Sequence, residues 1–249
     1  MKMLSILLSL LLAACGQQAG RMAVADDTLH IELPAYDTTE DIVVHLGYTA
    51  SYNHTTLLPN WVAWQLTAEE LAGAYEQGRK FSRDPDVAFP KASREDYSNS
   101  GWDKGHMAPH ADMKWSRQAM AESDYFTNVC PQDRTMNAGA WRKIEELTRR
   151  VAKHYGAVYV VCGPLVGTGR YGTIGQAAVQ VPDAFFKALA VSTSEGYATV
   201  AFVVDNNPQD GSPRSYAVSV DSVEALIGRN LFPSLSEEVE STFDWNIWK

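Results

Sequence analysis

Residues 138–153 constrain the fold more than any other stretch of the chain. Trp141, Ile144, Leu147 and Val151 recur three or four apart, with charged side chains between them. That spacing aligns one apolar stripe on an amphipathic helix, which is stable only against a second hydrophobic layer. Candidates for that layer lie on both sides of the helix. Residues 42–53 alternate apolar and polar side chains (Val44, Leu46, Tyr48), as a strand or hairpin does, and 61–66 form a second strand candidate. Downstream, 158–162, 185–191 and 199–205 read as core strands, and 125–130 as a shorter one. Thr67 with Glu70 three residues on makes a capping-box pattern that predicts a helix start. Residues 222–227 begin a helix that Gly228 ends. Residues 81–101 are rich in Asp, Pro and Ser without periodicity, which predicts a long surface loop. With no internal repeat, these features predict one mixed α+β domain over residues 41–249, with a mainly antiparallel sheet.

The N-terminus has another character. Lys2 precedes a largely apolar run over residues 3–12. A bilayer-spanning helix needs about 20 residues, so the run suits the core of a secretory signal instead. Leu12-Ala13-Ala14-Cys15 resembles the lipobox of bacterial lipoproteins. That resemblance implies a signal peptide over 1–14, a lipidated Cys15 as the first mature residue, and a tether and entry segment over 15–40. The expected location is outside the cytoplasm, anchored to a bacterial membrane and facing the periplasm or cell surface. Cys130 and Cys162 then remain, either paired or as buried free thiols.

A net charge of −9 argues against a uniformly nucleic-acid-binding surface, because phosphate repels an acidic protein. The distribution is uneven, however. Residues 79–153 hold 14 Lys and Arg against 11 Asp and Glu, a local excess of +3.

Within that basic segment lies the densest run of reactive side chains, Trp102-Asp103-Lys104-Gly105-His106-Met107-Ala108-Pro109-His110-Ala111-Asp112. Two further stretches follow it, Thr127-Asn128-Val129-Cys130-Pro131-Gln132 and Asn137-Ala138-Gly139-Ala140-Trp141 with Glu145. In this order the motifs resemble the DNA/RNA non-specific endonucleases of the ββα-metal (His-Me finger) superfamily. Their signature is Asp-Arg-Gly-His, then Asn-Gly-x-Trp opening a helix. Tyr48 with Trp61-Val62-Ala63, Arg79 through Pro85, and Val181-Pro182 with Phe185-Phe186-Lys187 extend the likeness over residues 42–235.

The resemblance implies a metal-dependent endonuclease that hydrolyses DNA and RNA by a His-activated water, leaving 5′-phosphate ends. An unperturbed imidazole, with a pKa of about 6.5, suits that proton transfer. By the same resemblance His106 is the base on the finger's first β-element. Asn137 is the direct ligand of Mg²⁺, with Mn²⁺ as the alternative, and Glu145 reaches the ion through water. Arg79 contacts phosphate, where a fixed fork of donors fits the oxygens. Lys104 stands where the family has arginine, keeping the charge without the fork. Asp103 and Asn128 are supporting residues; a turn carboxylate and a strand-end hydrogen-bonding group are the plainer alternatives. If Asn137 caps the helix, Glu145 lies about 12 Å further along its axis at ~1.5 Å per residue. His54 and His110 carry no motif and read as structural or surface residues. No Cys-x₂-Cys, His-Glu-x-x-His or Gly-x-Ser-x-Gly pattern supports a zinc site or a serine hydrolase. Phosphodiester hydrolysis on sugar or lipid substrates stays open, and the strongest alternative of another class is a surface lipoprotein that binds nucleic acid without cutting it.

Overall fold

Trp141, Ile144, Leu147 and Val151 are at most 3% exposed, so the stripe is buried as its spacing requires. The computed structural model describes residues 30–249; the proposed signal, Cys15 and most of the tether lie outside them. The chain enters through β1 (Asp41–Val44), β2 (Thr49–Asn53) and β3 (Leu58–Thr67). An excursion follows: α1 (Arg94–Tyr97), β4 (Asp103–His106), α2 (Arg117–Ser123), β5 (Val129–Gln132) and α3 (Arg134–Met136). A π-helical turn over Asn137–Trp141 joins α3 to α4 (Arg142–Tyr155). The chain returns through β6 (Ala157–Leu165) and a small ladder of β7 (Thr173–Ile174) and β8 (Val179–Gln180). Then come β9 (Ala184–Thr193), β10 (Gly196–Asp205), β11 (Ala217–Val218), α5 (Val220–Ile227) and α6 (Glu237–Glu240).

Seven strands form one sheet in the order β1-β2-β3-β6-β9-β10-β11, every neighbouring pair antiparallel. Its central strands are apolar at nearly every position because both faces are covered. Val62, Trp64, Leu66, Phe185, Leu189 and Val191 face the layer that contains α4. Trp61, Ala63, Val161, Phe186, Ala188 and Ala190 face a second cluster with Val220, Val223 and Phe232. Ile31 is 2% exposed in that second cluster, so part of the expected tether packs with the domain.

Two local expectations change, and an open alternative is decided. The Thr67–Glu70 bonds form, with Thr67 N–H donating to Glu70 Oε2 at 2.8 Å and Glu70 N–H to Thr67 Oγ1 at 3.1 Å. Only one 3₁₀ turn, Glu70–Ala72, follows. A Cβ at Gly73 would sit 2.4 Å from the Trp115 backbone, and this close approach draws the chain away from a helical path. The 125–130 segment begins as a 3₁₀ turn, Phe126–Asn128, and its strand comes later, where β5 finds β4 to pair with. Finally, Cys130 and Cys162 are buried free thiols. Burial pushes both thiols up, Cys162 to about 11.

Candidate active site

The β4–β5 hairpin pairs Asp103 with Gln132, Lys104 with Pro131, Gly105 with Cys130, and His106 with Val129. Gly105 is required here. A Cβ would lie 1.8 Å from Gln132 Oε1, and Gln132 is itself fully buried. Beyond the strand end, the backbone is held on every side. Trp141 Nε1–H donates to the His106 carbonyl at 3.2 Å, and Met107 N–H donates to the Asn128 carbonyl at 2.9 Å. Asn128 accepts from Ala108 N–H through Oδ1 at 2.8 Å and donates through Nδ2 to the carbonyls of Ala108 and Ser123. Asn128 thus spends its amide on backbone, the strand-end alternative.

The His106 ring is 7% exposed and lies against the Phe81 ring, centroids 5.1 Å apart. Its Nε2 is 3.0 Å from Asp124 Oδ1. The same oxygen is 3.2 Å from His110 Nδ1, while His110 Nε2 reaches the Gln77 carbonyl, two residues before Arg79. Asp124 is fully buried. Burial alone would raise its carboxyl, but bonds from His106, His110 and the Lys80 N–H together hold it well below the usual range. A carboxylate cannot donate, so His106 Nε2 carries the proton and Nδ1 keeps the lone pair. Burial, with help from Arg79 and His110, lowers the His106 pKa despite the opposing pull of Asp124.

Asn137 is not a cap. Asp133 takes that role, accepting from Thr135 and Met136 N–H, and Asn137 sits inside the continuing helix. The π turn changes the angular relation assumed from sequence. Eight residues of pure α-helix place Asn137 and Glu145 roughly 80° apart, but a turn closing i→i+5 absorbs one extra residue. What remains is about two full turns, so the two residues share a helix face roughly 11 Å apart along the axis. They still do not hold one ion together directly. Gly139 permits this turn to dock, since a Cβ there would meet Gln209 O at 2.7 Å.

Asn137 Nδ2 lies 3.4 Å from Asp103 Oδ2, a long contact, and Arg134 Nε lies 3.3 Å from Asp103 Oδ1. Burial pushes the Glu145 carboxyl up to about 7, against the charges of Lys187, Arg149 and Arg79, with Asp112 adding to the rise. Arg79 is exposed, and its charge acts on both His106 and Glu145. Lys104 Nζ stands over the rings of Phe81 and Tyr97 at 5.6 and 5.9 Å. Asp103, Lys104 and Arg134 open onto a cleft of about 740 Å³, also lined by Tyr97 and Trp102. His54 bridges Asp41 and the Pro90 carbonyl, the structural role expected of it.

Two groups of side chains beside the finger could hold a cation. Asn137 and Asp103 offer hard oxygens beside the cleft, which suit Mg²⁺ or Mn²⁺. His106, His110 and Asp124 also bring ligand atoms within 4.8 Å of one another. Those atoms already satisfy each other as hydrogen-bond partners, whereas the Asn137–Asp103 contact is too long to be a strong bond. The first pair fits a hard cation better. Asp124 belongs to no motif, and His110, which the sequence reads as structural or surface, is linked to His106 through that carboxylate only by folding.

A histidine-bearing antiparallel hairpin, backed by a helix that brings Asn137 and Trp141 to it, defines a ββα-metal finger protein. The chain belongs to the DNA/RNA non-specific endonuclease family, which it matches over residues 28–238. It is 36% identical over 210 residues to the mitochondrial nuclease EXOG of Danio rerio, covering 78% of this chain. The human EXOG is 35% identical over 209 residues, covering 77%. The chain spans 61% and 56% of these two relatives' lengths. A nuclease of Nostoc sp. is 31% identical over 221 residues, covering 82% of this chain and 78% of the relative. Among solved structures, a chain of the EndoG/EndoGI complex superposes with a TM-score of 0.76 at 28% identity, covering 84% of this chain and 92% of that one.

Proposed function

We propose that this protein is a divalent-metal-dependent endonuclease that hydrolyses DNA and RNA phosphodiester bonds and leaves 5′-phosphate ends. The carrying observation is the His106–Asp124 contact. It fixes the imidazole as the tautomer whose Nδ1 can take a proton from water, and burial keeps that nitrogen unprotonated near neutral pH. Arg79 and Lys104 meet the phosphate. Asn137, with Asp103 beside it, would hold the cation, and Glu145 would reach it through water. When bound, a hard cation such as Mg²⁺ offsets the charge building on the phosphate and the departing 3′-oxygen. Cleavage is favoured over binding alone because His106 and Asn137 are both present and both placed on the finger.

The test is a Mg²⁺ titration of cleavage on plasmid, single-stranded DNA and RNA, with wild type and Asn137→Ala. Wild type should cut and should stop cutting in EDTA. Asn137→Ala should lose about 10–100-fold or more in maximal rate or apparent metal affinity. Its folding should stay within ~1 kcal/mol of wild type, since the half-buried amide makes one long contact. An unchanged titration would move the cation to the His106–His110–Asp124 group.

We also propose that the mature protein begins at a lipidated Cys15 and is held at a bacterial membrane outside the cytoplasm. The apolar run and Leu12-Ala13-Ala14-Cys15 occur in the order that processing requires. Mass spectrometry of the mature N-terminus should find acylated Cys15; an intact Met1, or cleavage beyond Cys15, would overturn this.

A further inference from the structure

Strand β9 alternates its side chains between the two faces of the sheet. Position 187 shares the parity of Phe185, Leu189 and Val191, which enter the core beneath α4. A hydrophobic residue belongs there, yet the chain places a lysine with 0% exposure. Burying an ammonium is costly unless its charge and its donors are answered. Among the described residues, no carboxylate lies within the 4.0 Å of an ion pair. Instead Nζ stands 4.6 Å from the Trp141 ring centroid and 4.9 Å from that of Trp64, a cation–π sandwich. Its one backbone partner is the Met107 carbonyl, to which it donates at 3.2 Å.

Trp141, whose ring faces the ammonium, itself donates to the His106 carbonyl. Two consecutive carbonyls of the base-bearing segment therefore end on a stacked Lys–Trp pair anchored in the central sheet. We infer that Lys187 is a positioning residue for the reaction. Through the Met107 carbonyl it fixes the Met107–Ala108 peptide, next to the one Trp141 holds, and so the placement of the imidazole against the phosphate. This rests on His106 being the base, as proposed above. Lys187 touches no substrate, since it has no exposed surface.

Methionine has nearly the length of lysine, and apolar replacement of a buried charge is often neutral or stabilising. A filling role and a positioning role therefore diverge in Lys187→Met. The experiment measures plasmid cleavage per folded molecule, thermal melting and DNA affinity for wild type, Lys187→Met and Lys187→Arg. We expect Lys187→Met to melt no lower than wild type and to lose about 10–100-fold in kcat, because small misplacements of a reacting group are costly. KM and DNA affinity should change by less than about twofold. Lys187→Arg restores a donor and should recover kcat. In a His106→Ala background Lys187→Met should cost nothing further, because the group it positions is gone. Wild-type kcat in Lys187→Met, a loss confined to KM, or no recovery in Lys187→Arg would overturn the inference. Should Lys187→Met fail to fold, Lys187→Leu, which also lacks a donor, is read in its place by the same criteria. An active wild type with an indifferent Lys187→Met sinks only this inference; an inactive wild type sinks the nuclease reading and this inference with it.

Discussion

Asp124→Asn is expected to lower turnover by about 10²–10⁴-fold while leaving DNA affinity near wild type. The buried carboxylate accepts from His106 Nε2 at 3.0 Å, which leaves Nδ1 free to receive a proton. An amide in its place can present its NH₂ group to Nε2. The imidazole proton then moves to Nδ1, which can no longer act as a base. The isosteric change keeps the packing, so the loss should appear in kcat. A wild-type rate in folded Asp124→Asn would show that the tautomer does not limit the chemistry.

The same pair shapes the pH dependence. His106 has a lowered pKa, so the acid limb of kcat/KM should fall below about pH 6.5, the unperturbed value. Asp124 pulls that pKa upward, so Asp124→Asn should move the limb lower still. For stability the sign is the same for both groups. An unprotonated buried His106 stabilises the fold above about pH 6.5, and that contribution is lost as the unfolded chain takes up its proton below it. Asp124, with its depressed carboxyl, stabilises the fold above about pH 4 and loses that contribution as pH falls towards its folded pKa. These two contributions therefore fall away in two stages as pH drops, while Glu145, raised to about 7, works in the opposite sense between about pH 7 and 4.5.

How much of this was legible beforehand follows from how local each feature is. The stripe at Trp141, Ile144, Leu147 and Val151 repeats within one helix, so its burial could be read from spacing alone. His106 and Asn137 sit in compact motifs whose order the hairpin and helix preserve. Asp124 lies 18 residues from His106, and Lys187 lies 80 from Met107, so nothing in their neighbourhoods announces the partner. Lys187 even hides in an apolar run, because the two-residue period of β9 places it in the core only if its charge finds another answer there. The π turn was invisible for a different reason. Hydrophobic period separates α-helix from strand, but one extra residue inside a turn leaves the apolar stripe intact while rotating Asn137 by about 100°. The Thr67–Glu70 box misled in the opposite direction, since its bonds formed but Gly73 turned the chain into Trp115.

The role of His106 as general base stands or falls on one substitution. His106→Ala should lose at least about 10²–10⁴-fold in cleavage rate, the range that general-base assistance supplies. DNA affinity should persist, because Arg79 and Lys104 address phosphate independently of proton transfer. Melting should show a fold that remains intact, with some loss from the Asp124 and Phe81 contacts of the ring. Cleavage per folded molecule, thermal melting and DNA affinity are to be measured on one preparation. The expected result is a folded protein that binds and does not cut; well-folded His106→Ala that cuts at nearly the wild-type rate would overturn the role of His106 as the base.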